Sequence, residues 1–391
     1  MSARSTTGRA ALRPTPARQR PRGGAPAAAA PRLARGASAT QAAPASARRA
    51  HAAGTARVAV LGASGYSGQE FVRLAVGHPG IEIGVLASRE YAGRPAAALL
   101  PGLDPRALAW GDVVAPDALE DLLEEGAFDT LVACLPHGAW REISTKRPGL
   151  ANGPARVVDL SSDFRSDGEN GYAYGLPEAF RSTLAGATRV ANPGCYPTAA
   201  TLALLPAAEA GWIAGPAMIH ALSGVSGAGR APALRTSFVE LDGGASIYRA
   251  GVEHPHVGEM ERNLARLAGG AVAVGFTPQL APMARGILLT ANAPLARAIT
   301  PEEALAAYRK RYAGEPFVRV LAAGEWPETR AVRGSNRCDV AVTTLHGGRT
   351  LLATAALDNL VKGAAGQAIQ NLNLMLGRPE TEGLSVHGSP W

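Results

Sequence analysis

A chain of 391 residues is too long for one compact core, so two domains are expected. Its three cysteines, at 134, 195 and 338, lack framework spacing and fit free thiols in a reducing compartment. No apolar run reaches the roughly eighteen residues of a membrane span, so no membrane association is expected. The net charge of +7 invites a nucleic-acid partner, but residues 1–55 hold ten Arg and no Asp or Glu, and the remainder has 29 basic against 32 acidic residues.

The basicity therefore belongs to a tail. Residues 1–55 are rich in Ala, Arg, Ser, Thr and Pro and lack an apolar h-region, which reads as a disordered, organellar transit peptide. The competing reading is an Arg-rich nucleic-acid arm. It has no aromatic residue for stacking before Tyr66, so no nucleic-acid partner is expected. Only three lysines occur (146, 310, 362), a bias typical of a GC-rich genome, which also inflates Arg and Ala in any tail.

Arg57–Leu61 reads as a short apolar strand. Gly62-Ala63-Ser64-Gly65-Tyr66-Ser67-Gly68 follows, and then a periodic helix over Gln69–Val76. Strand, glycine turn and helix make the context of a dinucleotide-binding fingerprint, here spaced GxxGxxG. Gly62, Ser64, Gly65, Tyr66, Ser67 and Gly68 are the candidate cofactor residues, with pyrophosphate at the helix N-terminus. The second strand, Ile81–Ala87, ends in Ser88-Arg89, offering a hydroxyl and a guanidinium. A guanidinium suits a 2′-phosphate, which points to NADP, unless Arg89 is simply a solvated loop residue. Further strands are expected at Thr130–Leu135, ending in Pro136-His137-Gly138, and at Val157–Leu160. The alternation implies an α/β fold with a doubly wound parallel sheet of Rossmann type.

Asn192-Pro193-Gly194-Cys195-Tyr196-Pro197-Thr198 is a turn feeding a run of helical composition, Thr198–Leu205. It places Cys195 at a helix N-terminus, where the dipole and free N–H groups favour a thiolate nucleophile. A lone Cys is more often a buried structural residue; its company favours the nucleophile. A strand over Ala217–Leu222 runs into Ser223-Gly224-Val225-Ser226-Gly227-Ala228-Gly229-Arg230, either a backbone oxyanion or phosphate cradle or a mobile surface loop. Tyr248 follows, then His254-Pro255-His256 and Glu259. A histidine supplies the base a thiol requires. Metal ligation by His-x-His lacks further ligands at metal-site spacing, so no metal is expected.

From about Val58 to Leu376 the chain resembles the N-acetyl-γ-glutamyl-phosphate reductase family. The resemblance rests on the glycine turn, Asp159-Leu160-Ser161-Ser162-Asp163-Phe164-Arg165, Tyr174-Gly175-Leu176-Pro177-Glu178, Asn192–Thr198, Ser223–Arg230, His254/His256 and Asp358–Gln367. The chain departs from the family's His-Arg-His and Pro-Glu-Ile in having Pro255 for the Arg and Gly258 for the Pro. The resemblance implies Cys195 as nucleophile and His254 as acid/base, with Ser223, Gly224, Arg230, Tyr248 and His256 facing the substrate and Pro136 and Asn359 joining the cofactor residues. It implies a second α+β domain for catalysis and oligomerisation (194–355) after the NADP domain (56–193), and a C-terminal segment (356–391) whose helix, opening at Asn359–Gln367 and running to Leu376, returns to that domain. The expected activity is NADPH-dependent reduction of N-acetyl-L-glutamyl 5-phosphate through a cysteine thioester. The alternative is a related aspartate-semialdehyde or aminoadipyl enzyme. A small-molecule substrate, a homo-oligomer (dimer or tetramer) and, from the family's role in arginine synthesis, a plastid (chloroplast stroma) location complete the expectations.

Overall fold

Along β1 (Ala56–Leu61), Val58 and Val60 face one buried layer, and Ala59 and Leu61 the other. Successive strand side chains alternate, and a sheet covered on both faces needs apolar residues at every position. β2 (Ile81–Ala87), β3 (Thr130–Ala133), β4 (Arg156–Asp159), β5 (Ala173–Tyr174) and β6 (Arg189–Ala191) complete a parallel sheet in the order β2-β1-β3-β4-β6-β5. Helix α1 (Tyr66–Ala75) covers one face through Phe71 and Val72; Trp140 of α2 (Ala139–Lys146) covers the other. The computed structural model describes residues 55–104, 111–166, 171–251 and 253–389, so the transit-peptide and disorder expectations for the tail lie outside the described residues, Thr55 apart. α1 begins at Tyr66, earlier than the expected Gln69, because extended Gly65 caps it directly behind the turn.

The second sheet is mixed. It contains β7 (Ala217–Ser223), β8 (Ser246–Ile247), β9 (Val274–Leu280), β10 (Ile287–Pro294), β11 (Val318–Val320), β12 (Cys338–Leu345) and β13 (Thr350–Leu357), ordered β11-β12-β13-β10-β7-β9-β8. Its core is organised around α3 (Cys195–Glu209), buried from Tyr196 to Ala208 and flanked by α4 (Val257–Ala268) and α5 (Pro301–Tyr312). A helix apolar all round must be enclosed. Pro206 inside α3 cannot donate to the carbonyl of Leu202, and Tyr312 Oη takes over that acceptor at 2.6 Å. β13 ends at Leu357.

After β13 the chain goes back to the first sheet. Ala368, Ile369, Leu372 and Met375 of α6 (Gly366–Met375) pack with Val58, Val60 and Phe71. Residues 361–365, expected as ordinary helix, form a π-turn: Gly363 and Ala365 N–H donate five residues back, to Asp358 and Leu360, at 2.9 and 2.8 Å. Buried Lys362 anchors the turn, its Nζ 2.6 Å from Glu178 Oε1 and 2.8 Å from Gln370 Oε1. Among the described residues, no helix is long and apolar enough to cross a membrane.

Candidate active site

Cys195 is the first residue of α3, so it stands where the sequence places it, at a helix N-terminus. The turn before it is clamped by a buried ion pair between Arg165 and Glu259, N···O 3.0 Å. Gly194 N–H and Tyr174 Oη donate to Glu259 Oε1 at 2.9 and 2.7 Å. Arg165 Nε donates to Asn192 O at 2.8 Å. Asn192 is tied in turn to the returning segment, donating to Ala364 O and accepting from Asn371 Nδ2 at 3.2 and 3.0 Å. Glu259 and Arg165 are thus positioning residues for the cysteine turn. Two glycines make the close packing possible: a Cβ at Gly194 would lie 2.8 Å from His256 Nε2, and one at Gly363 2.8 Å from Cys195 Cβ.

Burial pushes the Cys195 thiol up to about 11, and the N–H of Tyr196 and the charge of Arg165 only partly oppose it. The expected thiolate bias of the helix terminus is therefore present but outweighed by desolvation in the free protein.

Cys195 opens on a cavity of about 380 Å³ that is also lined by Ser223, Tyr248, His254 and His256. His254 is held down at about 4 by burial, then by the charges of Arg249 and His137, so its ring is neutral. Its Nδ1 accepts the backbone N–H of His256 at 3.2 Å, which leaves the proton of the neutral ring on Nε2. His256 is also pressed toward neutrality, chiefly by burial and then by Arg165, and its Nδ1 has no protein partner. Tyr248 Oη and Tyr196 Oη are 2.9 Å apart.

The Ser223–Arg230 loop divides its work. Ser223, Gly227 and Ala228 line the cavity, whereas Gly224 packs so tightly on the Arg285 backbone that a Cβ would stand 2.7 Å from its nitrogen. Arg230, expected at the substrate, reaches the cofactor turn instead, donating to Ser64 O at 2.9 Å and Tyr91 Oη at 3.2 Å. Asn359, expected at the cofactor, is a strut: Nδ2 donates to Ser226 Oγ at 3.0 Å and Oδ1 accepts Gly286 N–H at 2.7 Å. The sequence reading missed His137, Arg235, Thr236 and Arg249, which also line the cavity. His137 had a signal, the Pro-His-Gly at the carboxyl end of a Rossmann strand. Arg235 and Thr236 lie on an exposed excursion without periodicity, and Arg249 just past β8.

The glycine turn fits a dinucleotide. Gly62 has φ +83°, and a Cβ there would strike Cys134 O; a Cβ at Gly68 would strike Gly62 O. The close approach brings the first turn of α1 against the crevice, with the N–H groups of Tyr66, Ser67 and Gly68 outside the helix's own bonding. Ser88 Oγ donates to Ser64 Oγ at 2.9 Å, and exposed Arg89 follows it at the end of β2, while Pro136 lies just past β3.

A parallel dinucleotide sheet, a second mixed sheet and a helix-terminal cysteine facing an imidazole define a dehydrogenase of the semialdehyde class. Family models agree: the semialdehyde dehydrogenase NAD-binding domain matches residues 57–187 and its dimerisation domain residues 195–359. The fold is shared with aspartate semialdehyde dehydrogenase II of Vibrio cholerae (TM-score 0.63, 17% identity, 83% of this chain and 99% of that one). It is shared too with the NADP-bound aspartate semialdehyde dehydrogenase of Candida albicans (TM-score 0.62, 16% identity, 83% and 98%). At the level of sequence, N-acetyl-gamma-glutamyl-phosphate reductase of Thermus thermophilus is 47% identical over 361 residues, 85% of this chain and 99% of that one. The reductase of Symbiobacterium thermophilum is 42% identical over 348 residues, 84% and 97%. The chain belongs to the N-acetyl-gamma-glutamyl-phosphate reductase family.

Proposed function

We propose that this oxidoreductase reduces N-acetyl-L-glutamyl 5-phosphate to N-acetyl-L-glutamate 5-semialdehyde with release of phosphate, in arginine biosynthesis, through a thioester on Cys195. The observation that carries the chemistry is the placement of Cys195 and His254 on one cavity of a chain in this family. Cys195 Sγ attacks the acyl carbonyl, the C–O bond to phosphate breaks to leave the thioester, and the S–H proton departs with the phosphate as hydrogen phosphate. The Nε2–H of neutral His254 is suited to donate to the oxyanion that develops on the carbonyl oxygen. When bound, the dinucleotide supplies the hydride that takes the thioester to the aldehyde level. Gly62, Gly65, Gly68, Ser64, Ser67 and Arg230 hold it, by close backbone approach, helix N–H groups and a guanidinium.

NADP is the proposed form of that cofactor. Arg94 and Arg230 stand over Tyr91, with guanidinium carbons 5.4 and 5.7 Å from its ring centroid, and exposed Arg89 lies two residues before it in the chain. Guanidiniums at the end of β2 suit a 2′-phosphate. A homo-oligomer is proposed from the dimerisation-domain match and from the sheet face on which Met218 of β7 is 47% exposed. The tail's composition alone supports plastid delivery; a mature N-terminus near Thr55 in cells would bear it out, and full-length protein in the cytosol would refute it.

The phosphate-dependent reverse reaction tests the substrate reading, run with a chain starting at Thr55. N-Acetylglutamate semialdehyde should be oxidised with NADP in preference to NAD, and aspartate semialdehyde should be turned over at least about a hundred-fold less efficiently. Equal or better use of aspartate semialdehyde would overturn the assignment.

A further inference from the structure

Two guanidiniums line the catalytic cavity, Arg235 and Arg249. The buried Arg165 and the half-buried Arg285 answer carboxylates, Glu259 and Glu70. Among the described residues neither Arg235 nor Arg249 has an ion-pair partner. A cavity that keeps two cations unanswered beside a nucleophile is built for an anion with two charged groups. The proposed substrate has two, the acyl phosphate and the α-carboxylate.

Backbone geometry separates the two arginines. Arg249 has φ 41°, one of two described non-glycine residues with positive φ, the other being His346. For a residue with a long side chain this conformation costs on the order of 1–2 kcal/mol, and it persists where the surroundings impose it, commonly at functional sites. Arg249 follows Tyr248, whose hydroxyl meets that of Tyr196, the residue after Cys195. The charge of Arg249 is felt by His254 and His137 at the reacting end and by Tyr248, whereas that of Arg235 reaches Tyr248 more weakly than Arg249 does. The scissile phosphate is bonded to the carbon that Cys195 attacks, so its cation has to stand at the reacting end. Pro255, between the two histidines, lines the cavity and brings no charge to it.

We infer that Arg249 binds the phosphate group that leaves on thioester formation, and that Arg235 binds the α-carboxylate of the same substrate. The inference rests on the substrate proposed above. As the C–O bond breaks, phosphate departs with the electron pair, and Arg249 stabilises the charge that builds on it.

The reverse reaction separates the two cations, because inorganic phosphate and the semialdehyde are then independent substrates. Asparagine tolerates positive φ, so Arg249→Asn should keep the backbone while removing the charge. It should raise the KM for phosphate at least about ten-fold, the scale of one charge-assisted contact, and leave the KM for the semialdehyde unchanged. Arg249→Lys should recover part of the loss. Arg235→Asn should raise the semialdehyde KM and spare phosphate. An unchanged phosphate KM in Arg249→Asn, or an equal rise in both constants, overturns the inference. A second measurement needs no semialdehyde: inorganic phosphate should slow alkylation of Cys195 by iodoacetamide in the wild type and not in Arg249→Asn. If phosphate protects only the wild type but N-acetylglutamate semialdehyde is not oxidised, the substrate reading falls and the phosphate site stands. If both proteins are protected equally, Arg249 is not the phosphate residue.

Discussion

Replacement of Cys195 by serine is expected to cut turnover by roughly 10³-fold or more, the scale of a lost covalent nucleophile. Dinucleotide binding, followed by NADPH fluorescence, should stay close to wild type, because Cys195 lies at the head of α3 while the glycine turn is formed between β1 and α1. Serine is nearly the same size as cysteine, so the packing of Gly363 against Cβ is preserved. A serine variant that kept more than about a tenth of wild-type turnover would rule out the covalent route. The same thiol should alkylate slowly at neutral pH in the free protein, with a rate still climbing beyond pH 9, because burial holds it near 11.

His254→Ala is expected to lower turnover by roughly 10²- to 10⁴-fold, the range for a general acid/base, with a smaller effect on KM. His256→Ala should act mainly on KM, since His256 lines the cavity with its Nε2 close to Gly194. An inactive His256→Ala beside a nearly normal His254→Ala would reverse these roles. The pH dependence of stability gives an independent check. The folded value of His254, about 4, lies below the ordinary 6.5, so the unfolded chain binds more protons between those values. Stability is complete above about pH 6.5 and is lost as pH falls toward 4. Urea midpoints of His254→Ala should fall less steeply over that window than those of wild type; parallel curves would mean that the ring is not buried as neutral imidazole.

The first sheet was legible because strands buried on both faces are short apolar runs separated by turns, and β2 coincides with the expected Ile81–Ala87. The nucleophile was legible because the Asn-Pro-Gly turn can only feed a helix at the cysteine. The partners of that turn were not. Glu259 reads as the acid in a His/Glu group, yet it binds Gly194 N–H and Arg165, contacts that join residues 65 and 94 positions apart. Arg230 illustrates the same limit. A loop's composition says that it suits an anion, not which of two neighbouring anion sites it reaches, and the chain carries Arg230 across to Ser64. The π-turn at 361–365 follows from tertiary packing, with Gly363 against Cys195 and Lys362 against Glu178, and leaves no local pattern. Arg235 lies on an exposed loop, and Arg249 at a left-handed break between Ile247 and Gly251, which both pair with β9, so neither periodicity nor a motif marks them.

The most direct test of the account is to trap the thioester. Wild-type protein mixed with N-acetylglutamyl phosphate in the absence of dinucleotide, quenched in acid and digested, should yield an N-acetylglutamyl adduct on the peptide containing Cys195, and Cys195→Ser should yield none. Phosphate release without an adduct at Cys195, or an adduct on Cys134 or Cys338 in its place, would contradict the account.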